Sequence, residues 1–434
     1  MHDDQEMDIE ITDEFEDVFN ILENTNQHVF LSGKAGTGKS TFLEYFRKNT
    51  EKNVVVVAPT GVAAINVSGQ TIHSFFKFKP WFVEPGTLPK MRSDQLKIYR
   101  AIDILIIDEI SMVRADLFDQ IELFMRRYGR VRGSAFGGCQ ICIIGDMYQL
   151  PPIVTNEDAK FFYDYYETPY FFSSKAYQTE AGQFVNITLT KIFRQSEGEF
   201  INILNKIRDG QLDYDDLSWF NQKCAIRDIN KEIHPIILTA TNYLADRTNQ
   251  ARLRDLPGEV YSYKGKAKGS FEKDKKRLPV SLDLELKVGA QVMFLRNDTD
   301  KRWVNGTIGV VSKLTAKVIY VMIDDTEVKL EKEKWESIRY EFDEKKDKLV
   351  EDIVGSYEQY PLQLAWAVTI HKSQGQTFDN VIIDLGSGAF AFGQTYVALS
   401  RCRHLDGIHL KVPMKLTDIK VDERVVDFSL ELIA

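Results

Sequence analysis

Eight consecutive residues, Gly33-Lys34-Ala35-Gly36-Thr37-Gly38-Lys39-Ser40, have the types and spacing of a phosphate-cradling loop. Glycines at 33, 36 and 38 let the backbone turn tightly enough to aim successive N–H groups at phosphates. A helix starting near Lys39 adds its positive end. Lys39 is expected to meet the β and γ phosphates, and Ser40 to bind Mg²⁺. The apolar run His28-Val29-Phe30-Leu31 before the loop and the helical Phe42-Leu43-Tyr45-Phe46 after it supply the strand and helix that such a loop needs. ATP with Mg²⁺ is the expected cofactor.

Two further strand ends carry chemistry. Ile104-Leu105-Ile106-Ile107-Asp108-Glu109 places two carboxylates at the end of a buried strand, where a parallel α/β sheet presents its ligands. Asp108 is expected to hold Mg²⁺ and Glu109 to orient and deprotonate an attacking water. Ile144-Gly145-Asp146-Met147-Tyr148-Gln149-Leu150-Pro151-Pro152 ends in a carboxamide, Gln149, which senses a γ-phosphate without adding charge. Arginines are needed where charge develops on the leaving phosphoryl group. Spacing alone does not single out Arg194 and Arg401 from the rest.

The elements that must position these groups read as an alternation of strands and helices. A helix is expected over residues 12–24, capped by Thr12 or Asp13, with Phe15, Val18, Phe19 and Leu22 on one face. Runs rich in β-branched residues recur at Val54–Val57, Ile104–Ile107 and Ile141–Ile144, then again at Ile236–Leu238 and Val381–Ile383, the pattern of buried parallel sheets. This implies two α/β motor domains, the first over 1–69 and 100–180, the second over 181–259 and 359–434. A small aromatic insertion, 70–99, contains Phe75-Phe76-Lys77-Phe78-Lys79-Pro80-Trp81-Phe82, read either as a wedge or as buried packing. A larger one, 260–358, opens on the lysine-rich Lys264–Arg277 and continues as short strands with turn signals, typical of a small β-barrel. Its closing part, Glu341–Lys348, reads as mixed-charge and exposed.

Bulk properties narrow the class. A chain of 434 residues exceeds one comfortable core, and a net charge of −9 excludes a uniformly basic coat, so any nucleic-acid track is a local groove. No apolar run reaches membrane-spanning length, and the acidic start has no leader pattern. Four cysteines fit a reducing compartment, and Cys139-x-x-Cys142 lies in an apolar run without a second pair, so it reads as core strand. The expected location is cytoplasmic, with the nucleoid during DNA transactions.

Together the motifs resemble the petite-integration-frequency (Pif-type) helicases of superfamily one, in the RecD-like branch, over nearly the whole chain. Ala58–Ala64 with Thr71–Phe76 is similar to motif Ia and its extension, Asp108-Glu109 to motif II, Gly145–Pro152 to motif III and Leu189–Gln195 to motif IV. Ala367–Thr377 is similar to motif V, Tyr396–Arg403 to motif VI, and Asp116–Gly138 to the signature between motifs II and III. The resemblance implies an α/β fold of two RecA-like parallel-sheet motor domains, with a small insertion in the first and an SH3-like β-barrel insertion in the second. It implies an ATP-driven motor that tracks 5′-to-3′ on single-stranded DNA and opens duplexes, forks, DNA–RNA hybrids and G-quadruplexes, with roles in DNA repair, recombination and telomere maintenance. A monomer, or a dimer formed on DNA, is expected.

By the same resemblance Lys39, Glu109, Gln149, Arg194 and Arg401 form the catalytic set. Gly33, Ala35, Gly36, Thr37, Gly38, Lys39, Ser40, Thr41, Gly375 and Gln376 bind nucleotide, and Ser40 and Asp108 the metal. Thr60, Gly61, His73, Ser74 and Phe75 on one domain, and Thr239, Asn242, His371, Lys372 and Ser373 on the other, grip DNA. Residues 1–27 lack the family's Leu-Ser-x-x-Gln adenine reader, which leaves Gln27 or Asn20 for that task, and the short amino terminus suggests a compact bacterial or phage form. Two other classes share the phosphate loop. A GTP switch needs Asn-Lys-x-Asp, and Asn205-Lys206-Ile207-Arg208-Asp209 has one residue too many. A DNA-stimulated ATPase that remodels protein–DNA complexes without separating strands differs only in lacking a wedge.

Overall fold

The computed structural model describes residues 10–432 except 83, 94, 196, 227–234, 274–277, 299, 301, 344 and 347. The end of the Lys264–Arg277 stretch therefore lies outside the described residues. The apolar run His28–Leu31 lies in β1 (His28–Gly33), and the β-branched runs lie in β2 (Val54–Ala58), β4 (Ile104–Ile107) and β5 (Gln140–Gly145), joined by β3 (Gln70–Thr71) and β6 (Phe184–Leu189). They make one parallel sheet in the order β3-β2-β4-β5-β1-β6. β4 and β5 are buried along their whole length because helices cover both faces. Asp13–Asn24, capped by Thr12, and Lys39–Asn49 set Phe15, Val18, Leu22, Phe42 and Phe46 on one face, and Ala115–Tyr128 covers the other. Ser32 pairs with Gly145 and Ile107 with Ile143, so the carboxyl ends of β1, β4 and β5 open on one edge.

β7 (Ile236–Thr239) starts a second sheet, which a long antiparallel insertion interrupts. Its strands are β8 (Tyr261–Lys264), β9 (Lys266–Gly269), β10 (Asp283–Leu286), β11 (Gln291–Phe294), β12 (Ile308–Leu314), β13 (Ile319–Ile323), β14 (Thr326–Leu330), β15 (Glu333–Asp343), β16 (Lys348–Gln359) and β17 (Leu362–Leu364). They form sheets β14-β13-β12-β11-β17, β15-β16-β9 and β10-β8. A separate core around Phe294, Trp303 and Val321 fills the first of these. β18 (Ala367–Thr369), β19 (Val381–Asp384) and β20 (Ile408–Leu410) then rejoin β7 in the parallel order β18-β7-β19-β20. Among the described residues no helix is long and apolar enough to cross a membrane.

Three domain boundaries differ from expectation. β3, inside the 70–99 segment, and β6, inside 181–259, both pair in the first motor sheet. The helix Glu423–Glu431, expected in the second domain, packs on the first: Phe428 stacks on Phe172 at 4.3 Å between ring centroids and meets Phe171 edge-on. Burial of aromatic surface fixes this crossing, contributing about 1.5–3 kcal/mol for Phe428.

Within Glu341–Lys348, Lys345, Lys346 and Lys348 are exposed, while the strand residues that flank this span reach the first domain. The long β15–β16 hairpin leans on the first motor sheet, where β3 is too short to cover β2. The Val56 N–H donates to the Tyr340 phenolic oxygen (3.2 Å), Gln70 Nε2 to the Ile338 carbonyl (2.6 Å), and the Leu349 N–H to Asn53 Oδ1 (3.0 Å). Arg47 pairs with Glu351 at 2.7 Å. Cys139 and Cys142 are buried thiols, as a core strand requires.

Candidate active site

The phosphate loop joins β1 to the helix Lys39–Asn49. Gly36 (φ 83°) and Gly38 (φ 89°) adopt left-handed backbone that a side chain would strain, and a Cβ on Gly36 would lie 2.6 Å from the Cβ of Arg194. Thr37 closes the loop by donating from its hydroxyl to the Lys34 carbonyl (2.9 Å). Lys39 Nζ donates to the carbonyls of Gly33 (2.6 Å) and Lys34 (2.9 Å), so phosphate oxygens would replace loop carbonyls as its acceptors. Burial pushes the Lys39 pKa down, opposed by Asp146, Glu109 and Asp108.

At the end of β4, burial and then the charge of Glu109 push the Asp108 carboxyl up, and burial does the same to Glu109. Two buried carboxylates raised in this way favour a cation. Mg²⁺ takes one or two carboxylates and completes its shell with phosphate and water. Asp108 and the Ser40 hydroxyl, on the first helical turn, have that chemistry. Among the described residues no group of three His, Cys, Asp or Glu suits an all-protein metal cage. Glu109 itself sits at φ 51°, ψ 48°, a left-handed conformation that costs a non-glycine residue about 1–3 kcal/mol and recurs at functional sites.

At the end of β5, Asp146 is the hub between the two motor sheets. Its carboxylate accepts from Gln149 Nε2 (3.4 Å), Arg208 (3.3 Å) and the Tyr396 hydroxyl (3.2 Å). The same Tyr396 oxygen accepts from the Ala35 N–H at 3.0 Å, linking the phosphate loop to the helix Gln394–Leu399 of the second domain. Arg208 lies 3.8 Å from the centroid of Tyr148. Gly393, at the start of the helix Gln394–Leu399, packs directly on this segment, since a Cβ there would strike the Tyr148 and Gln149 carbonyls at 2.3 and 2.5 Å. Gln374 reaches from the second domain to both Glu109 and Gln149.

The two arginines expected from motifs IV and VI converge here. Arg194 follows β6 against Gly36 and donates to the Ser400 carbonyl (3.2 Å), while Arg401, only 2% exposed, donates to the Val397 carbonyl (2.9 Å) and the Ser400 hydroxyl (2.9 Å). Burial and then the neighbouring Arg401 charge lower the Arg194 pKa to about 9, and burial lowers that of Arg401. Like charges held this close are relieved by an anion between them, as a γ-phosphate provides.

Of the positions expected to grip DNA, Phe75, Ser373 and Thr239 are turned into the protein. Phe75 is buried, edge-on to Phe76 at 4.8 Å and to Tyr99 at 5.2 Å, so its ring offers no stacking face. Ser373 is also buried, its hydroxyl donating to the Ile370 carbonyl (2.8 Å), and Thr239 donates inward to the Thr241 carbonyl (3.1 Å). Thr60 caps the helix Gly61–Asn66, and a Cβ on Gly61 would meet nothing within 4 Å. Ser74 and His73 lie on the short helix Ile72–Phe76, half-buried. Asn242 opens the helix Asn242–Asp255, exposed, and Lys372 is exposed beside a half-buried His371 whose pKa burial lowers. Thr41 follows Ser40 in the first helical turn. A Cβ on Gly375 would lie 3.8 Å from the Asn66 side-chain amide nitrogen, and Gln376 lies by the Gly306 turn. Gln27 precedes β1 and so stands about 20 Å of strand away from that loop, and Asn20 is exposed on the first helix.

Two exposed rings were missed. Phe193, 45% exposed, lies 3.6 Å from the position of a Cβ on Gly38, beside the phosphate loop. Tyr243, 70% exposed, follows Asn242. An aromatic side chain beside a motif residue was the available signal for both. In the small insertion the rings divide: Phe76 and Phe78 are buried in the first-domain core, whereas Trp81 is 56% exposed.

Similarity to known proteins agrees with this geometry. The PIF1-like helicase model matches residues 9–217, and the UvrD-like helicase C-terminal domain matches 364–405. Human ATP-dependent DNA helicase PIF1 is 35% identical over 93% of the chain, which spans 61% of that protein. Campylobacter jejuni ATP-dependent DNA helicase Pif1 is 30% identical over 92% of the chain and 94% of its own length. Bacteroides Pif1 with ADP–AlF4 superposes with a TM-score of 0.89 at 36% identity, covering 98% of this chain and 97% of that one. Its complex with single-stranded DNA superposes at 0.70, with 37% identity and the same coverage. Similarity over 94% of the length of a bacterial Pif1 settles the family: the chain belongs to the PIF1-like helicases.

Proposed function

We propose that this chain is an ATP-dependent DNA helicase that moves 5′-to-3′ on single-stranded DNA and separates duplex ahead of it. The observation that carries this is the convergence of Lys39, Glu109 and Gln149 from one parallel sheet with Arg401 from the other, Arg194 bridging them. A γ-phosphate in that cleft draws the sheets together, and its loss lets them part. Ser40 and Asp108 hold Mg²⁺, which supplies charge neutralisation on the phosphates. Glu109 orients and deprotonates water, Gln149 senses the γ-phosphate, and the arginines stabilise developing charge. Phe193 stacks on the base.

Thr60, Gly61, His73 and Ser74 on one domain and Asn242, His371 and Lys372 on the other grip the DNA backbone, with Tyr243 as a stacking face. The difference in fit between the two Bacteroides complexes supports a rearrangement on DNA. Forks, DNA–RNA hybrids and G-quadruplexes are the proposed substrates of a cytoplasmic monomer that pairs on DNA. The test is displacement of streptavidin from end-biotinylated oligonucleotides. Faster release from the 3′ end is expected, and faster release from the 5′ end overturns the polarity.

A further inference from the structure

Residues 370–376 face two ways. His371 and Lys372 stand in the proposed DNA grip, whereas Gln374, two residues on, crosses the cleft to the first motor domain. Its Nε2 donates to Glu109 Oε2 at 3.3 Å and to Gln149 Oε1 at 3.1 Å. One amide therefore touches both the carboxylate at the end of β4 and the carboxamide at the end of β5.

The segment between grip and cleft is braced by its own hydrogen bonds. The Lys372 N–H donates to the Thr369 hydroxyl (3.2 Å), the Ser373 N–H to the Thr369 carbonyl (3.0 Å), and the Ser373 hydroxyl to the Ile370 carbonyl (2.8 Å). The Gln374 N–H donates to the His371 carbonyl (3.3 Å), and the Gln376 N–H to the Ser373 carbonyl (3.0 Å). Ser373 is wholly buried, so it anchors the turn rather than touching a ligand. A turn closed at this many points carries a displacement of His371 or Lys372 to the Gln374 amide instead of absorbing it. Other polar bridges of the cleft end elsewhere, among them Lys34 Nζ on Asn205 Oδ1 (2.7 Å). Tyr396 reaches the Ala35 amide and Asp146, Arg208 reaches Asp146, and Arg194 reaches the Ser400 carbonyl.

We propose that Gln374 is a positioning residue that sets the Glu109 carboxylate and the Gln149 carboxamide according to whether DNA holds His371 and Lys372, and so ties DNA grip to ATP hydrolysis. It rests on the proposed function of the cleft. Gln374 touches no reacting atom in this role. It aligns the two groups that do.

The test uses the full chain and two variants, Gln374→Met, which keeps the length of the side chain and removes the donor, and Gln374→Ala. ATP hydrolysis is measured with and without oligo(dT), alongside KM for ATP and oligo(dT) affinity by fluorescence anisotropy. The expected result is a loss of about tenfold or more in the ratio of stimulated to basal rate, as for removal of a charge-assisted hydrogen bond, with KM and DNA affinity little changed. A purely structural lesion lowers both rates together. A ratio equal to that of the unsubstituted chain in either variant that still binds DNA, or parallel loss of both rates, overturns the proposal. Failure of the underlying function is distinct, because the unsubstituted chain would then show no stimulation by DNA.

Discussion

Glu109 occupies a left-handed backbone position directly after a fully buried strand, which aims its carboxylate into the cleft rather than along the sheet. Replacing it by glutamine keeps the backbone and the shape but removes the base. Glu109→Gln is expected to bind ATP normally while kcat falls by about 10²–10⁴-fold, the usual range for losing a general base. Retained turnover in a single-turnover assay would reassign the base. Phe193 makes a separate prediction. Stacking a base on an exposed ring contributes about 1–3 kcal/mol, so Phe193→Ala is expected to raise KM for ATP by roughly 5- to 100-fold with kcat held. An unchanged KM would remove the ring from the nucleotide site. The phosphate loop and the Asp108-Glu109 pair were legible in the sequence because their chemistry lies in contiguous residues next to an apolar strand. Tyr396, Arg208 and Gln374 were not, since each acquires its partner only when distant segments meet across the cleft.

At the scale of elements, β1 contains a pH-sensitive joint. His28 Nδ1 accepts from the Ile141 N–H of β5 at 3.1 Å, which requires an unprotonated nitrogen, and burial lowers its pKa to about 4 from 6.5. Between those values the unfolded chain binds a proton that the native chain refuses. Stability is therefore full above pH 6.5 and falls as the pH drops towards 4, by up to about 3 kcal/mol from this group. His28→Asn keeps an acceptor without titrating there, so denaturant unfolding should show a shallower loss on acidification. Identical slopes for the two proteins would contradict this account of β1. Trp81 makes the second element-scale prediction. Its neighbours Phe76 and Phe78 support the core, while its own ring is exposed with Lys79 Nζ 5.5 Å from the centroid. Trp81→Ala should preserve DNA-stimulated ATPase and translocation and reduce unwinding. Equal loss of all three would make the segment structural, and loss of none would remove the wedge. Of the motor strands, β2, β4, β5, β7 and β19 were readable from their β-branched runs. β6 was not assigned to the first sheet because its alternating Phe184–Leu189 pattern resembles any edge strand, and only pairing with β1 identifies its sheet. The exposed, charged tip Glu341–Lys348 was legible, but the contact of the β15–β16 hairpin with the first domain was not, since it rests on Tyr340 and backbone groups.

Across the whole molecule, two parallel sheets face each other through a cleft, and the insertion of the second touches the first through its long hairpin. The Glu423–Glu431 helix returns from the second domain to pack on the first, giving the chain two crossings besides the cleft. Such a body can convert nucleotide state into relative movement of the two proposed DNA grips, in the 5′-to-3′ direction along the strand. The most direct measurement is ATP·Mg²⁺-dependent separation of a labelled partial duplex bearing either a 5′ or a 3′ single-stranded tail, with Lys39→Ala as the blank. Opening of the 5′-tailed substrate alone is the predicted result. Opening from the 3′ tail, or DNA-stimulated hydrolysis with neither duplex opened, would contradict it.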